Sequence, residues 1–239
     1  MMRMTMRAAV KHFLQPRSVS RRPATLDEAL TLGQSAWRSH LDGFTNHLGV
    51  VEMRNYPILQ RRHLANCQVL PLREDILEAM PRNAIAAEVG VQEGVFSRKI
   101  IDICNPAKLH LIDIDLTRFD IAGRFAPEIA DGSVAIHEAD SVAAIGSFPD
   151  DQFDFIYIDA DHSYEGVKRD IAAAAPKVKG GGYLLFNDYT FWSPAECMPY
   201  GVIHAVNELC LAEDWEILYL ALGYMGYGDV ALRRIADSG

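Results

Sequence analysis

The sequence has few cysteines: Cys67, Cys104, Cys197 and Cys210 form no CxxC pair and stand beside no pair of histidines. That excludes a disulfide scaffold and a structural zinc site, and it fits free thiols in a reducing cytosol. No apolar run approaches the roughly 18 residues of a membrane span. Positive charge is scarce, with 23 Lys and Arg against 32 Asp and Glu and a net charge of −9. A chain of that sign repels nucleic-acid phosphates and anionic lipid, so neither is an expected partner. There is no internal repeat, and the one low-complexity tract, Ala172 to Ala175, is simply good helix former. What the chain does have is length and apolar content, 239 residues at 49% hydrophobic, enough to bury one substantial core.

Acids are missing altogether from residues 1–23, which carry Arg3, Arg7, Lys11, Arg17, Arg21 and Arg22. This stretch reads as a basic tail or as a transit peptide; it lacks the apolar segment of a secretory signal. Residues 24–71 read as an N-terminal extension or cap. Its helix starts at Thr25, has Asp27 and Glu28 in the first turn and Leu26, Leu30 and Trp37 on one face, and ends at Gly43. Phe44 to Pro71 is irregular.

From residue 72 to 239 the pattern becomes regular. Short apolar strands at Ala84–Val89, Leu109–Ile112, Ser133–His137, Asp154–Ile158 and Tyr183–Phe186 alternate with helical segments. Trp215–Leu220 and Asp229–Arg233 follow as two strands joined by a glycine-rich turn. Such alternation predicts an α/β, Rossmann-like, doubly wound and mostly parallel sheet of seven strands, with an antiparallel hairpin at one edge.

Ligands of such sheets bind beyond the carboxyl ends of the strands, so polar residues there are the candidates. Glu88-Val-Gly90-Val-Gln-Glu-Gly94 follows the first core strand, and its glycines allow a tight turn with close backbone approach. It is not the dinucleotide fingerprint, whose middle glycine falls at Gln92, and its acids disfavour a diphosphate. Asp113 ends the next strand, 23 residues beyond Gly90, where an acid can take ribose hydroxyls; Asp115 is its neighbour. Asp140 and Ser141 follow the third strand, either as adenine contacts or as a helix cap. Asp159, Asp161 and His162 end the fourth strand, and Asn187 with Asp188 end the fifth. Hard oxygen donors from two neighbouring strand ends suit Mg²⁺ or another divalent cation; the alternative is that Asp161 caps a helix while Asp188 ties a loop.

Together the Gly90 turn, Asp113, Asp159 and the Gly180–Gly182 strand resemble a class I S-adenosylmethionine-dependent methyltransferase over residues 72–239. Asp159-Ala-Asp161 and Asn187-Asp188 with Trp192 are similar to the cation-dependent O-methyltransferases of catechol and caffeoyl-CoA type. The stretch Asp159 to Gly166 resembles a broad group of bacterial small-molecule methyltransferases. The resemblance implies that Glu88, Gly90 and Gly94 cradle the methionine part of the cofactor, with Asp159 adjoining. It puts Asp113 on the ribose, Asp140 and Ser141 on the adenine, and a cation on Asp159, Asn187 and Asp188. Two positions depart from the cation-dependent pattern: the Asp-Asn order is reversed, and His162 replaces its lysine. His162 or Asp161 is then the proton acceptor for a substrate hydroxyl. Tyr56 to His63 and the aromatic Tyr189–Tyr200 loop are candidate covers for the acceptor.

The expectation is a cytoplasmic enzyme methylating a hydroxyl of a small molecule, phenolic, sugar or natural-product intermediate, with homodimerisation left open. A non-catalytic cofactor-binding scaffold and a nicotinamide oxidoreductase are the competing classes.

Overall fold

The computed structural model describes residues 24–47, 57–119 and 123–235. The basic stretch 1–23 and Tyr56 lie outside the described residues. The chain forms two compact units, Met1–Phe44 and Thr45–Gly239. In the first, helix α1 (Leu26–His47) runs past Gly43, where the sequence suggested a stop. Its start is as expected: Glu28 N donates to Thr25 Oγ1, and Asp27 and Glu28 sit in the first turn, against the positive end of the helix dipole. Leu26 and Leu30 are exposed. Among the described residues, no helix is long and apolar enough to cross a membrane.

The second unit holds an eight-stranded sheet, one strand more than the sequence suggested. Its strands are β1 (Gln68–Leu70), β2 (Ile85–Val89), β3 (Lys108–Asp113), β4 (Val134–Glu138), β5 (Phe153–Ile158), β6 (Val178–Phe186), β9 (Trp215–Leu222) and β10 (Gly228–Arg234). β7 (Trp192–Ser193) and β8 (Met198–Pro199) make a separate small antiparallel pair. The helices are α2 (Arg73–Glu78), α3 (Val95–Cys104), α4 (Ala126–Ala130), α5 (Ser141–Gly146), α6 (Tyr164–Ala174) and α7 (Val202–Glu213).

The order is β1-β9-β10-β6-β5-β2-β3-β4, so the α/β, mainly parallel reading stands. Two details are corrected. The extra strand comes from residues 68–70, which the sequence reading placed in the extension; it pairs parallel with β9. The β9–β10 hairpin is therefore not at the edge, because β1 covers β9. The hairpin's last strand is instead inserted between β9 and β6, antiparallel to both. A three-residue strand with no alternation of its own left no trace in the sequence, and its register is supplied by β9.

Side chains alternate across the sheet and set up two apolar layers. Ala87, Val89, Ile156, Ile158, Phe186 and Val230 pack on one side with residues of α5, α6 and α7. Ala86, Phe155, Tyr157, Leu185 and Ala231 pack on the other with residues of α2 and α3. The same alternation decides which strand-end polar groups meet. Glu88, Tyr157, Asp159, Asn187 and Asp229 all continue the α2/α3 side.

At the far edge His110 and His137 lie with ring nitrogens 2.9 Å apart, enclosed by Phe148 and Phe153. Burial, then His137 and Lys108, lower the pKa of His110 to about 4, while burial lowers that of His137 as well. The unfolded chain therefore binds the His110 proton more readily than the folded one does. Stability is retained above the ordinary imidazole value of about 6.5 and lost as pH falls from there toward 4. His110→Leu should flatten the fall in melting temperature across that window. The wild-type loss attributable to His110 should be of order 2 kcal/mol, read by calorimetric unfolding at several pH values.

Candidate functional site

The turn after β2 is built by backbone constraints. Gly90 has φ +91° and donates its N–H to Ile112 O at 2.8 Å, which fastens the turn to β3. A Cβ on Gly90 would lie 2.0 Å from the Asp159 carbonyl oxygen, so β2 and β5 meet here too closely for any side chain. Gly94, at φ +73°, opens α3 beneath Phe119 and Phe125. Asp113 completes the turn: its Oδ2 accepts from Val91 N at 2.7 Å and Gln92 N at 2.9 Å, while Oδ1 accepts from Asp115 N at 3.1 Å. The residue expected to hold a ribose thus acts first on its own chain, fixing the loop that would receive one.

Next to this turn lies a buried charge cluster. Glu88 is 1% exposed and lies beside the hydroxyl of buried Ser97, and its Oε2 makes no well-formed hydrogen bond. Burial raises the Glu88 pKa to about 8. Asp159 is held well above the ordinary carboxylate range, by burial first, then by Asp188, Glu88 and Asp229, against the opposing charge of Arg73. Burial likewise brings Asp188 to about 7, with Asp229 adding to it. Asp229, on β10, accepts from Tyr157 Oη at 2.6 Å and is itself raised by burial. Arg73, first residue of α2, lies 4.3 Å above the Phe96 ring and is the guanidinium all these acids share.

His162 faces the same cluster. Its Nε2 is 3.5 Å from Asp159 Oδ1 and 3.8 Å from Asp188 Oδ2, and its ring stacks on Tyr200 at 4.4 Å. Its carbonyl accepts from Gly201 N at 2.8 Å, tying β5's exit loop to the start of α7. Asp188 takes a left-handed φ of +54°, an uncommon conformation of the sort found at functional sites. The aromatic Tyr189–Tyr200 loop carries the β7–β8 pair and is pinned by Tyr227, whose Oη meets Ser193 Oγ at 2.7 Å and Ala195 N at 3.1 Å.

The fit of a divalent cation can be judged from Asn187. In one orientation of its amide the oxygen accepts from Arg73 Nη1 at 3.1 Å. Its nitrogen then faces Asp159 Oδ1 at 3.1 Å, Asp188 at 3.2 Å and His162 Nε2 at 3.2 Å. In the opposite orientation Oδ1 points to the same groups, 3.2 Å from His162 Nε2, and the nitrogen donates to Tyr157 Oη at 3.2 Å, so oxygens of Asp159, Asn187 and Asp188 converge. Among the described residues, no three His, Cys, Asp or Glu side chains are arranged to hold a metal. The expected ligands Asp159, Asn187 and Asp188 do meet at one point beside His162. A cofactor with a positive group is matched by Glu88, whose Oε2 is a buried acceptor.

Three other expected residues stand apart from the cluster. Asp161 is exposed; its Oδ1 accepts from Ser163 N at 2.9 Å and its side chain lies over Gly166, so it shapes the entry to α6. Asp140 caps α5 by accepting from Ala143 N at 3.2 Å. Ser141 donates to Asp170 at 2.5 Å. The Asp140 bond matches the capping alternative, while the Ser141 bond ties α5 to α6.

The sequence reading missed Arg73, Tyr157 and Asp229. Asp229 carried a usable signal, as the one acid inside the apolar strand Gly228–Leu232. Arg73 carried none, being one basic residue among several near a helix start.

Residues 87–189, from within β2 to just past β6, match the family model described as a methyltransferase domain. No curated protein sequence matches the chain. Among solved structures it is similar to the N-methyltransferase NodS from Bradyrhizobium japonicum WM9 in complex with S-adenosyl-L-homocysteine, at 16% identity and TM-score 0.51, over 69% of this chain and 86% of that one. It is also similar to the tRNA methyltransferase TrmK of B. subtilis, at 14% identity and TM-score 0.51, over 70% and 67% of the two chains. A third similar structure is an O-methyltransferase family protein from Burkholderia thailandensis, at 15% identity and TM-score 0.50, over 69% and 56%. The chain spans about half the length of that protein and of the pyocyanin biosynthetic protein PhzM, 56% and 51% respectively. At these identities the structures establish the fold.

The Gly90 contact makes a direct prediction. Gly90→Ala places a Cβ against backbone at a positive φ, so neither partner can yield cheaply. It should destabilise the fold by roughly 3 kcal/mol or more, read as a lowered denaturant midpoint. An unchanged midpoint would show that β2 and β5 do not meet this closely.

Proposed function

We propose that the chain is an S-adenosylmethionine-dependent methyltransferase acting on a hydroxyl of a neutral small molecule, with His162 as the proton acceptor. The observation that carries this reading is His162 Nε2 set between Asp159 at 3.5 Å and Asp188 at 3.8 Å, at the exit of β5 beside the Gly90 turn. The methyltransferase family match over the same residues supports the cofactor class.

Each part of the site has a task in that reaction. Bound S-adenosylmethionine supplies a methyl group already activated by its sulfonium. Glu88, with Oε2 a buried acceptor, would take the cofactor's ammonium, and the Gly90–Gly94 turn held by Asp113 would line the ribose side. Asp140 and Ser141 remain candidates for the adenine side, approached at the start of α5. Asp159 and Asp188, beside Nε2, stabilise positive charge on His162 as the imidazole takes the hydroxyl proton. Tyr200 fixes the imidazole plane by stacking, so the ring stays aimed at the acceptor. The negative charge of the cluster disfavours phosphorylated or carboxylated acceptors, and the loop holding Phe191 and Trp192 offers an aromatic wall for a ring or sugar face. No step is routed through a metal.

His162→Ala should lower turnover roughly 10²–10⁴-fold. Affinity for S-adenosylmethionine should change little, as measured by calorimetry beside S-adenosylhomocysteine formation with a panel of hydroxylated and amine acceptors. Turnover with amines alone would overturn the hydroxyl assignment. Activity should also survive EDTA; loss that Mg²⁺ restores would return Asp159, Asn187 and Asp188 to the role of ligands.

A further inference from the structure

A buried amide stands behind the site, outside the charge cluster. Asn207, in the second turn of α7, is 4% exposed and lies among the core residues Ala205, Val206, Leu209 and Cys210. An amide in such surroundings costs free energy unless its oxygen and its nitrogen are both satisfied. Both are. Asn207 Nδ2 donates to Pro57 O at 2.7 Å, and Oδ1 accepts from Tyr189 Oη at 2.6 Å. The orientation is fixed, because a backbone carbonyl can only accept. The nitrogen must face Pro57, which leaves the oxygen for the tyrosine hydroxyl.

These two bonds hold the exit of β6. Tyr189 directly follows Asp188, whose φ of +54° is left-handed and whose Oδ2 lies 3.8 Å from His162 Nε2. A backbone conformation of that kind persists where its surroundings over-determine it. Tyr189 is held at both ends: its N–H donates to Gly228 O at 2.5 Å, and its hydroxyl is taken by Asn207. The start of α7 also fixes His162 itself. Gly201 N donates to His162 O at 2.8 Å, and Tyr200 stacks on the imidazole. One helix therefore locates both members of the His162–Asp188 pair. The second arm of Asn207 adds the segment entering at Pro57, whose Leu59 packs on the same apolar layer as α7.

We infer that Asn207 is a positioning residue of the site: through Tyr189 it sets Asp188 against His162, and through Pro57 it ties the segment leading to β1 into that placement. The inference rests on the reading of His162 as the proton acceptor. It also accounts for the residue type. Aspartate lacks the donor that Pro57 O requires, and leucine, of similar size, lacks both groups.

The experiment records ring-nitrogen NMR spectra of the full chain with isotope-labelled nitrogen, at about pH 8, above the ordinary imidazole value. The His162 signals are identified by their loss in His162→Ala. Tyr189→Phe, which deletes one hydroxyl and keeps the ring, should shift them in the same sense as Asp188→Asn does, and so should Asn207→Ala. The signals of His110 and His137, at the far edge of the sheet, should stay in place. On the acceptor panel above, Tyr189→Phe and Asn207→Ala should each lower kcat roughly tenfold with little change in S-adenosylmethionine affinity. The double variant should be no slower than Asn207→Ala alone, as expected of two groups acting through one bond.

Tyr189→Phe with His162 signals unmoved overturns the inference, and so does a lowered melting temperature with kcat intact. The spectra need no acceptor, so they read the placement even where no compound of the panel turns over. Tyr189→Phe also carries the test where Asn207→Ala fails to fold. Full turnover in His162→Ala removes the proton-acceptor reading and this inference with it. An inactive His162→Ala enzyme beside a fully active Tyr189→Phe enzyme sinks the inference alone.

Discussion

Four carboxylates share the Arg73 guanidinium beneath the carboxyl ends of the central strands, and much of the local structure is arranged around that imbalance. Buried charge of one sign is costly unless it is protonated, paired or met by a ligand of opposite sign. The protein uses pairing in part: Tyr157 donates to Asp229, Asn187 in one orientation of its amide bridges Asp159 and Asp188, and Arg73 lies over Phe96. The remainder has no protein cation beside it, and titratable groups clustered in this way mark a candidate binding site.

The sheet makes this possible through its pleat. One row of positions on β2, β5, β6 and β10 points to the α2/α3 side, and at the strand ends that row changes from apolar to polar. Leu185, Phe155, Tyr157 and Ala231 form the buried part of the row. Glu88, Asp159, Asn187 and Asp229 continue it. Core and site are thus one pattern read at different heights, and the rigidity of the first positions the second.

That pattern explains what could be read from the amino-acid order. Glu88, Gly90, Asp113, Asp159, His162 and Asn187-Asp188 each end a strand whose apolar run is plain in the sequence, so strand and site residue are found together. The glycine turn was legible as a turn, but not the fact that Gly90 is pressed against the Asp159 carbonyl, since that depends on two strands 69 residues apart coming into register. Arg73 and Asp229 were not legible for the same reason. They reach the cluster only because α2 crosses the sheet there and β10 slots in beside β6. Asp140 and Asp161 show that polar residues at strand ends also serve their own backbone, one capping α5 and the other accepting from Ser163 N, and spacing does not separate such uses from ligand contacts.

The placement of β10 has a consequence for how the molecule comes into being. β9 is made before β10, yet β10 lies between it and β6. Until β10 is in place, β6 and β9 each present an unsatisfied edge. A nascent chain that closed the gap early would pair β6 with the wrong neighbour, and two open edges in the meantime are points for intermolecular association. Asp229 enters with that last strand. Closure of the sheet and completion of the charge cluster thus depend on the same strand.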